Sequence, residues 1–314
     1  MLASIIGKIG RTTALVIMAV MVVLGVLLVV VDYTDAGTIS EVSSEDFILP
    51  GYDLAMVPGS VLEDARNLAG ELFGDQPEES GEFSQQLLVT YLEAQDKDFI
   101  LLYNPGGWGS SLLKDSPGWQ SIVAGIEAEL NSHGYELLPL SYRRTQDSWL
   151  GALDEISEMA VHYNQKARTL AARLDFLTNH NPHVKVIIAS ESNGSIISDR
   201  VMVLLKDNDR IYGIQTGSPF WYQPESWDRT LIMNDNGEVP DSFSQGDFPT
   251  MIKANLKNLF GFSRTEEGAG HVLNIVKAPG HYYSWQYPKV YREINGFLEQ
   301  ILSGSDEPAG VRPG

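Results

Sequence analysis

Residues 190–194, Ser-Glu-Ser-Asn-Gly, have the pattern of a serine that can act as a nucleophile. They follow the short β-branched run 184–189 and precede apolar residues at helical spacing, which predicts a strand, a turn and a helix. A turn this tight requires small residues two positions before and after its centre, and Ser190 and Gly194 meet that requirement. We therefore expect Ser192 to project from the end of the strand. The alternative is an ordinary Ser/Asn helix cap.

A serine hydroxyl becomes nucleophilic when a neighbouring base takes its proton. Of the six histidines, His281 is the one expected to follow the carboxyl end of a strand, in the loop 278–284 before the last helix. Sites in open parallel sheets form at that edge, whereas the other histidines fall at strand starts or inside a helix. We expect His281 to be the base; the alternative is a surface or capping histidine.

The acid that orients this histidine is expected in the loop 234–241, which follows a predicted strand at Thr230–Met233. The loop contains three carboxylates: Asp235, Glu238 and Asp241. Asp235 lies nearest the strand end and is the first choice. An acidic residue close to a Gly is also typical of a tight turn, so Glu238 and Asp241 stay open as alternatives.

Acyl-transfer chemistry also needs backbone N–H groups that bind the developing oxyanion. The N–H of Asn193, directly after the serine, is the first expected donor. The second is expected from the loop 104–109, Asn-Pro-Gly-Gly-Trp-Gly, at Gly107 or Trp108, because its glycines let the backbone turn inward. A plain turn is the alternative for this loop.

The elements that must position these residues alternate along the chain. Strands are predicted at 98–103, 135–140, 184–189, 211–215, 230–233 and 272–276, and helices at 60–73, 82–93, 119–130, 149–179, 193–204, 248–260 and 288–302. Alternation of this kind predicts an α/β fold with a mostly parallel sheet and helices on both faces.

Together these motifs resemble those of the α/β-hydrolase superfamily, in its esterase and lipase branch, over residues 98–302. The loop 104–109 resembles the Gly-rich oxyanion loop, 190–194 the Gly-x-Ser-x-Gly elbow, and 279–283 the catalytic-histidine loop. Three departures stand out. Ser190 replaces the first elbow Gly, the first two strands are not recognisable, and Asn236 replaces the Asp of an Asp-Gly-x-Val-Pro acid motif.

The resemblance implies a serine esterase or lipase-like enzyme that cleaves an ester, thioester or amide through an acyl-enzyme and needs no cofactor. A non-catalytic binding or scaffold module with the same fold is the alternative, because fold alone does not establish function.

Aromatic residues concentrate in the loops expected around the site. Phe220, Trp221 and Tyr282 predict a wall suited to a small-molecule or lipid-like acyl substrate, with ordinary core packing as the alternative. Arg143 follows the second strand at the same edge and is a candidate to hold an anionic group; a surface salt bridge is the alternative.

Composition disfavours nucleic-acid binding and excludes the function classes that need cysteine. The 314 residues include 22 Lys and Arg against 41 Asp and Glu, a formal net charge of −19 that repels nucleic-acid phosphates. There is no Cys, which excludes disulfides, thiolate metal sites and a cysteine nucleophile. The sequence also contains no phosphate loop, dinucleotide fingerprint or metal-ligand motif.

The N-terminus predicts a membrane anchor. Residues 13–31 are uncharged and nearly all apolar, which is long enough for one transmembrane helix. Basic residues before it and acidic residues after it predict a cytoplasmic N-terminus and an extracytoplasmic domain. The expected segments are 1–12 cytoplasmic, 13–31 transmembrane, 32–50 stalk, 51–302 α/β-hydrolase-like domain and 303–314 flexible tail. A cleaved signal peptide is the alternative.

Overall fold

A computed structural model of the chain describes residues 54–74, 76–144, 158, 163–225, 228–259, 269–272 and 276–303. The predicted cytoplasmic segment, transmembrane helix and stalk, within residues 1–50, lie outside the described residues, as does the tail from 304 onward. Within the described ranges, no helix is both long enough and apolar enough to cross a membrane.

The core of the fold is a parallel sheet of five strands in the order β2-β1-β3-β4-β5. The strands are β1 (Phe99–Asn104), β2 (Leu137–Ser141), β3 (Lys185–Glu191), β4 (Ile211–Thr216) and β5 (Thr230–Met233). β1 and the middle of β3 are buried on both faces, which explains their continuous apolar sequence. The chain winds outward in opposite directions from β1 and β3. Ligand sites in such sheets form at this switch point, beyond the carboxyl ends of the strands.

Helices cover both faces of the sheet, so the predicted α/β architecture with a parallel sheet is present. They are α1 (Gly59–Phe73), α2 (Pro77–Glu93), α3 (Pro117–Ser132), α4 (Asn164–His180), α5 (Gly194–Leu204), α6 (Phe248–Leu259) and α7 (Pro288–Ser303). α1, α2, α4 and α5 share one buried cluster with Ile100 and Leu102. α3 and α7 share the other with Phe99 and Leu101, because alternate residues of β1 point to opposite faces.

Two helices differ from their predicted bounds. α2 begins at Pro77, five residues before the predicted start, because proline fits the first helical turn and the acids Glu78 and Glu79 favour a helix N-terminus. The predicted helix 149–179 is described only from Asn164, where α4 begins; of its earlier part, 149–157 and 159–162 lie outside the described residues.

The predicted strand 272–276 is not a single strand, and its residues 273–275 lie outside the described residues. Instead, β6 (Ala269–Val272) and β7 (Val276–Pro279) pair antiparallel as a two-stranded sheet. A short apolar run does not reveal its pairing partner, so the sequence could not distinguish this hairpin from a further parallel strand. α6 packs on β7, where the Asn255 side chain donates to the Lys277 carbonyl at 2.9 Å and accepts from its N–H at 3.0 Å. His281 therefore follows a hairpin strand.

Candidate active site

Ser192 occupies a strained turn between β3 and α5. Its φ of 51° lies in the left-handed region that non-glycine residues seldom adopt, as expected for a nucleophile elbow. The Ser192 N–H donates to the Thr216 carbonyl at 2.9 Å, which fixes the turn to the end of β4. The residue is 3% exposed, and its Oγ has no hydrogen-bond partner among the described residues.

The two small residues of the elbow are required by close packing. A Cβ on Gly194 would lie 2.5 Å from the Asn104 carbonyl oxygen, so any side chain there would displace the loop after β1. Ser190 is fully buried, and its Oγ donates to the Ile214 carbonyl at 3.3 Å. A serine is therefore accommodated at the position where the resemblance predicts the first glycine.

His281 is held by Asp241. Its Nδ1 lies 2.8 Å from Asp241 Oδ2, and the two side chains are 1% and 0% exposed. A carboxylate accepts only, so Nδ1 carries the proton and Nε2 is left as the acceptor. The Phe243 ring packs edge-on against the imidazole at a centroid distance of 5.0 Å, which limits rotation of the ring.

Four further hydrogen bonds hold the Asp241 carboxylate. Oδ1 accepts from the N–H groups of Phe243 at 3.0 Å and Ser244 at 3.1 Å. Oδ2 accepts from Ser244 Oγ at 3.0 Å and Tyr283 Oη at 2.8 Å. Burial alone would raise the pKa of Asp241. The hydrogen bond and charge of His281, together with the Ser244 and Tyr283 bonds, hold that pKa below its ordinary value. Asp241 is therefore ionised at neutral pH.

The first-choice acid, Asp235, lies elsewhere. Its Oδ1 accepts from the Gly237 N–H at 2.7 Å, and its Oδ2 is 3.1 Å from Lys289 Nζ, with the side chain 45% exposed. These contacts lower the pKa of Asp235, but they belong to a surface turn. Glu238 is exposed in the same turn. Of the three carboxylates, Asp241 is the one that contacts the histidine.

Asn236 holds the main chain on either side of His281. It stands where the resemblance predicts an aspartate, and its Nδ2 donates to the carbonyls of Gly280 at 3.1 Å and Tyr282 at 2.9 Å. These residues flank His281, so the amide fixes the main chain of the histidine loop. A carboxylate could not donate these bonds. The charge is supplied from the end of the same loop, by Asp241.

The Gly-rich loop after β1 lies against the elbow. A Cβ on Gly106 would be 2.9 Å from Ser192 Cβ, and Gly107 has a φ of +57°. Asn193 Nδ2 donates to the Gly107 carbonyl at 3.3 Å, so these two expected oxyanion residues are next to each other and to the serine. Among the described residues that line the adjacent cavity, Gly107 is present and Trp108 is not.

Arg144 holds this loop from its buried side. Its Nη1 donates to Asn104 Oδ1 at 2.7 Å and to the Pro105 carbonyl, while its N–H donates to the Gly109 carbonyl at 2.9 Å. Asn104 Nδ2 in turn donates to the Gly194 carbonyl at 2.8 Å. The guanidinium therefore connects the Gly-rich loop to the first turn of α5.

A cavity of about 300 Å³ opens beside the elbow, with Ser192 and His281 in its wall. No hydrogen bond joins Ser192 Oγ to His281, an arrangement common before substrate binds. Of the residues expected to form the substrate pocket, Tyr282 lines the cavity.

The other expected pocket residues do not line the cavity in the described part of the chain. Phe220 and Trp221 are 42% and 49% exposed, and both pack edge-on against Phe243. They form an outer surface beside His281 because Phe243 fills the space between them and the imidazole. Arg143, expected to hold an anion, is also not part of the cavity wall.

Two cavity residues, Tyr103 and Glu191, were missed from the sequence. Tyr103 Oη donates to Glu191 Oε2 at 3.2 Å, and burial raises the pKa of Glu191. Strand alternation could have identified them. Tyr103 lies two positions after Leu101, and Glu191 two positions after Ala189, on the sheet face that α3 and α7 cover.

No group of three or more His, Cys, Asp or Glu able to hold a metal ion occurs among the described residues.

No protein-family model matches the chain, and no curated protein matches it. Among solved structures, it is similar to Trichoderma reesei cutinase in complex with a C11Y4 phosphonate inhibitor, with 14% sequence identity and a TM-score of 0.36. The similarity covers 61% of this chain and 82% of that chain. At this identity and TM-score the similarity carries no argument about chemistry, which has to come from the site itself.

Proposed function

We propose that the chain is an α/β-hydrolase-type serine hydrolase that cleaves an ester, thioester or amide through an acyl-enzyme on Ser192. One observation carries the proposal: His281, which contacts the buried Asp241 at 2.8 Å, lines the same cavity as Ser192, a strained serine whose Oγ has no hydrogen-bond partner in the described part of the chain. These three residue types in these roles are the parts of a hydrolytic triad.

In the proposed reaction, Ser192 Oγ attacks the substrate carbonyl carbon and its proton passes to His281 Nε2. Asp241 stabilises the imidazolium that forms, because it stays ionised and accepts the Nδ1 proton bond. The imidazolium then protonates the departing alcohol, thiol or amine as its bond to the carbonyl carbon breaks. Water attacks the acyl-serine, gives a proton to Nε2, and the released serine oxygen recovers that proton.

The oxyanion formed at each attack needs donors on the side of the elbow. We assign this role to the backbone N–H groups of Asn193 and Gly107, whose residues are joined by the 3.3 Å side-chain bond described above. The amino-terminal end of α5 begins at Gly194, so the helix dipole adds positive potential at the same point.

Membrane attachment is a separate proposal that depends on the sequence alone. The apolar stretch 13–31 would hold the catalytic domain at the extracytoplasmic face of a membrane. Carbonate extraction of membranes from expressing cells tests it: the full chain should stay in the pellet, and a chain starting at residue 51 should be released.

A non-catalytic binding module is the second candidate function. The missing hydrogen bond between Ser192 Oγ and His281 is the observation that favours it. Such a module would use the same cavity to hold a ligand without covalent chemistry, so covalent labelling separates the two functions.

The test is labelling with a fluorophosphonate probe, followed by peptide mass mapping. The full chain should carry one adduct on Ser192, and Ser192→Ala should abolish it. Ser218→Ala is the matched control, because Ser218 also has a buried Oγ without a hydrogen-bond partner among the described residues, just beyond the end of β4. Adduct on the Ser192→Ala variant, or none on the full chain, would refute the proposed catalysis.

A further inference from the structure

One wall of the cavity beside Ser192 is polar. It contains Tyr103, Ser116 and Glu191, which we name the Tyr103–Ser116–Glu191 cluster. Tyr103 Oη lies 2.8 Å from Ser116 Oγ and 3.2 Å from Glu191 Oε2. A phenol has a single proton to donate, so it cannot donate to both neighbours at once. A carboxylate accepts at about four positions, so Glu191 retains capacity for a donor from a bound molecule.

Two residues that line the cavity carry a buried polar atom without a hydrogen-bond partner among the described residues. They are Ser192, 3% exposed, with its Oγ, and Trp119, 1% exposed, with its indole Nε1. The serine is accounted for by the proposed reaction. The indole N–H is a donor only, and buried donors are normally paired. When Tyr103 donates to Glu191, the Ser116 hydroxyl keeps its own proton, so the cluster offers a bound molecule both an acceptor, Glu191, and a donor, Ser116.

The charge of the cavity restricts what it can hold. Asp115 lines it in addition to Glu191, and of its lining residues in the described part of the chain only His281 can become cationic. An anionic substrate group would face two carboxyl groups. Burial is the main cause of the raised pKa of Glu191, and the negative charge of Asp241 contributes to it. A hydrogen-bond donor supplied by a bound molecule would stabilise the ionised form.

Four kinds of substrate group can be compared with this wall. A hydrocarbon leaves the polar groups of the cluster without a bonding partner, and buried unpaired polar groups are unfavourable. A carboxylate is repelled, and an ammonium satisfies Glu191 but cannot accept from Ser116. A hydroxyl both donates and accepts. The volume of about 300 Å³ is at the small end of ligand pockets, which suits a short substrate.

We propose that the Tyr103–Ser116–Glu191 cluster is a subsite for a hydroxyl group of the substrate, so that the enzyme prefers short hydroxylated esters. This inference rests on the proposed hydrolysis at Ser192 and adds a substrate class to it. Tyr103 and Glu191 are then specificity residues, and a site built to bond a hydroxyl discriminates strongly against the analogue that lacks it.

The test compares matched ethyl esters in a pH-stat with the full chain. Ethyl 3-hydroxybutyrate carries the hydroxyl on the acyl side and 2-hydroxyethyl butyrate on the alcohol side; ethyl butyrate, ethyl 3-aminobutyrate and monoethyl succinate are the comparison substrates. One hydroxylated ester should exceed ethyl butyrate in kcat/KM by about tenfold or more, and monoethyl succinate should be the poorest. A larger kcat/KM for the amino ester than for both hydroxylated esters would overturn the choice of a hydroxyl.

Substitutions of Tyr103 and Glu191 test whether the cluster causes this preference for a hydroxylated ester. Tyr103→Phe and Glu191→Gln should each reduce the ratio of hydroxylated to parent ester by about fivefold to tenfold. Tyr212→Phe removes another strand hydroxyl, on β4 outside the cavity wall, and should leave the ratio unchanged. Glu191→Gln preserves the shape of the side chain, so the test remains usable if Tyr103→Phe fails to fold.

The outcomes separate the subsite from the chemistry. Two outcomes overturn the subsite alone, provided that the fluorophosphonate probe labels Ser192. In the first, kcat/KM is about the same for the hydroxylated esters and for ethyl butyrate. In the second, the hydroxylated ester is preferred, but both variants leave that preference unchanged. Neither labelling nor hydrolysis of any ester refutes the proposed hydrolysis, and the subsite with it.

Discussion

Replacing Asp241 with Asn tests the charge that holds His281. Asn can still accept the two backbone N–H bonds at the Oδ1 position. Its amide NH₂, however, would face the His281 Nδ1 proton at the Oδ2 position, 2.8 Å away. The imidazole must then take the other tautomer, with the proton on Nε2, and can no longer accept the proton of Ser192.

The expected loss of activity is large. Exchange of the triad carboxylate for an amide lowers kcat by about 10⁴-fold in a serine protease, through this change of tautomer. That factor corresponds to about 5 kcal/mol of transition-state stabilisation. The substitution also removes the acceptor of the Tyr283 and Ser244 hydroxyls, which should lower the free energy of unfolding by about 1–3 kcal/mol.

The pH dependence of that stability loss has a definite sign. Because the folded pKa of Asp241 is lowered, its ionised form stabilises the fold above the unfolded pKa of about 4. That contribution is lost as the pH falls through the folded pKa. The Tm difference between the parent and Asp241→Asn should therefore be largest at neutral pH and narrow in acid.

Asp235→Asn is the matched control. It makes the same chemical change six positions earlier in the same connection, on a side chain 45% exposed and paired with Lys289 at 3.1 Å. An exposed pair contributes at most about 1 kcal/mol, and kcat/KM for p-nitrophenyl acetate should not change. A large loss of kcat/KM in Asp235→Asn with near-normal activity in Asp241→Asn would refute the assignment of the acid.

Three further variants probe the surrounding site. Glu191→Gln should have a higher Tm than the parent, and the difference should grow as the pH rises above about 4. The reason is that the pKa of Glu191 is raised in the folded state, so its ionised form is unfavourable to folding. A Tm difference that does not change with pH would contradict this. Gly217→Ala should lower kcat about 100-fold, because its Cβ would lie 2.5 Å from His281 Cε1. Gly296→Ala is the control and should leave kcat unchanged, because no atom lies within 4 Å of its Cβ. Arg144→Lys, which loses the planar guanidinium under the Gly-rich loop, should lower kcat about tenfold or more with little change in KM, measured as initial rates over a substrate series.

The sequence was sufficient for the parallel sheet because its strands are short, apolar and separated by helices of clear periodicity. Thr230–Met233 matches its predicted bounds, and the elbow lies where the strand-turn-helix pattern places it. The hairpin of β6 and β7 was not predictable, since antiparallel and parallel pairing impose no different pattern on four residues.

The first-choice acid and the expected aromatic wall differ from the structure for another reason. Distance along the chain from the strand end favoured Asp235, but the turn at Gly237 directs Asp235 outward and returns the chain to His281 at Asp241. Phe220 and Trp221 do not line the cavity, because one intervening ring, Phe243, separates these exposed aromatic residues from the imidazole. Both outcomes depend on how a loop folds back, which local patterns do not encode.

Acyl-enzyme formation on Ser192 is measured most directly by a rapid-quench experiment with an activated ester, followed by intact and peptide mass analysis. We expect a burst of leaving group and an acyl adduct on the peptide that contains Ser192, with neither seen in Ser192→Ala or Asp241→Asn on the same timescale. Hydrolysis that continues in Ser192→Ala without any acyl adduct on the parent would contradict it.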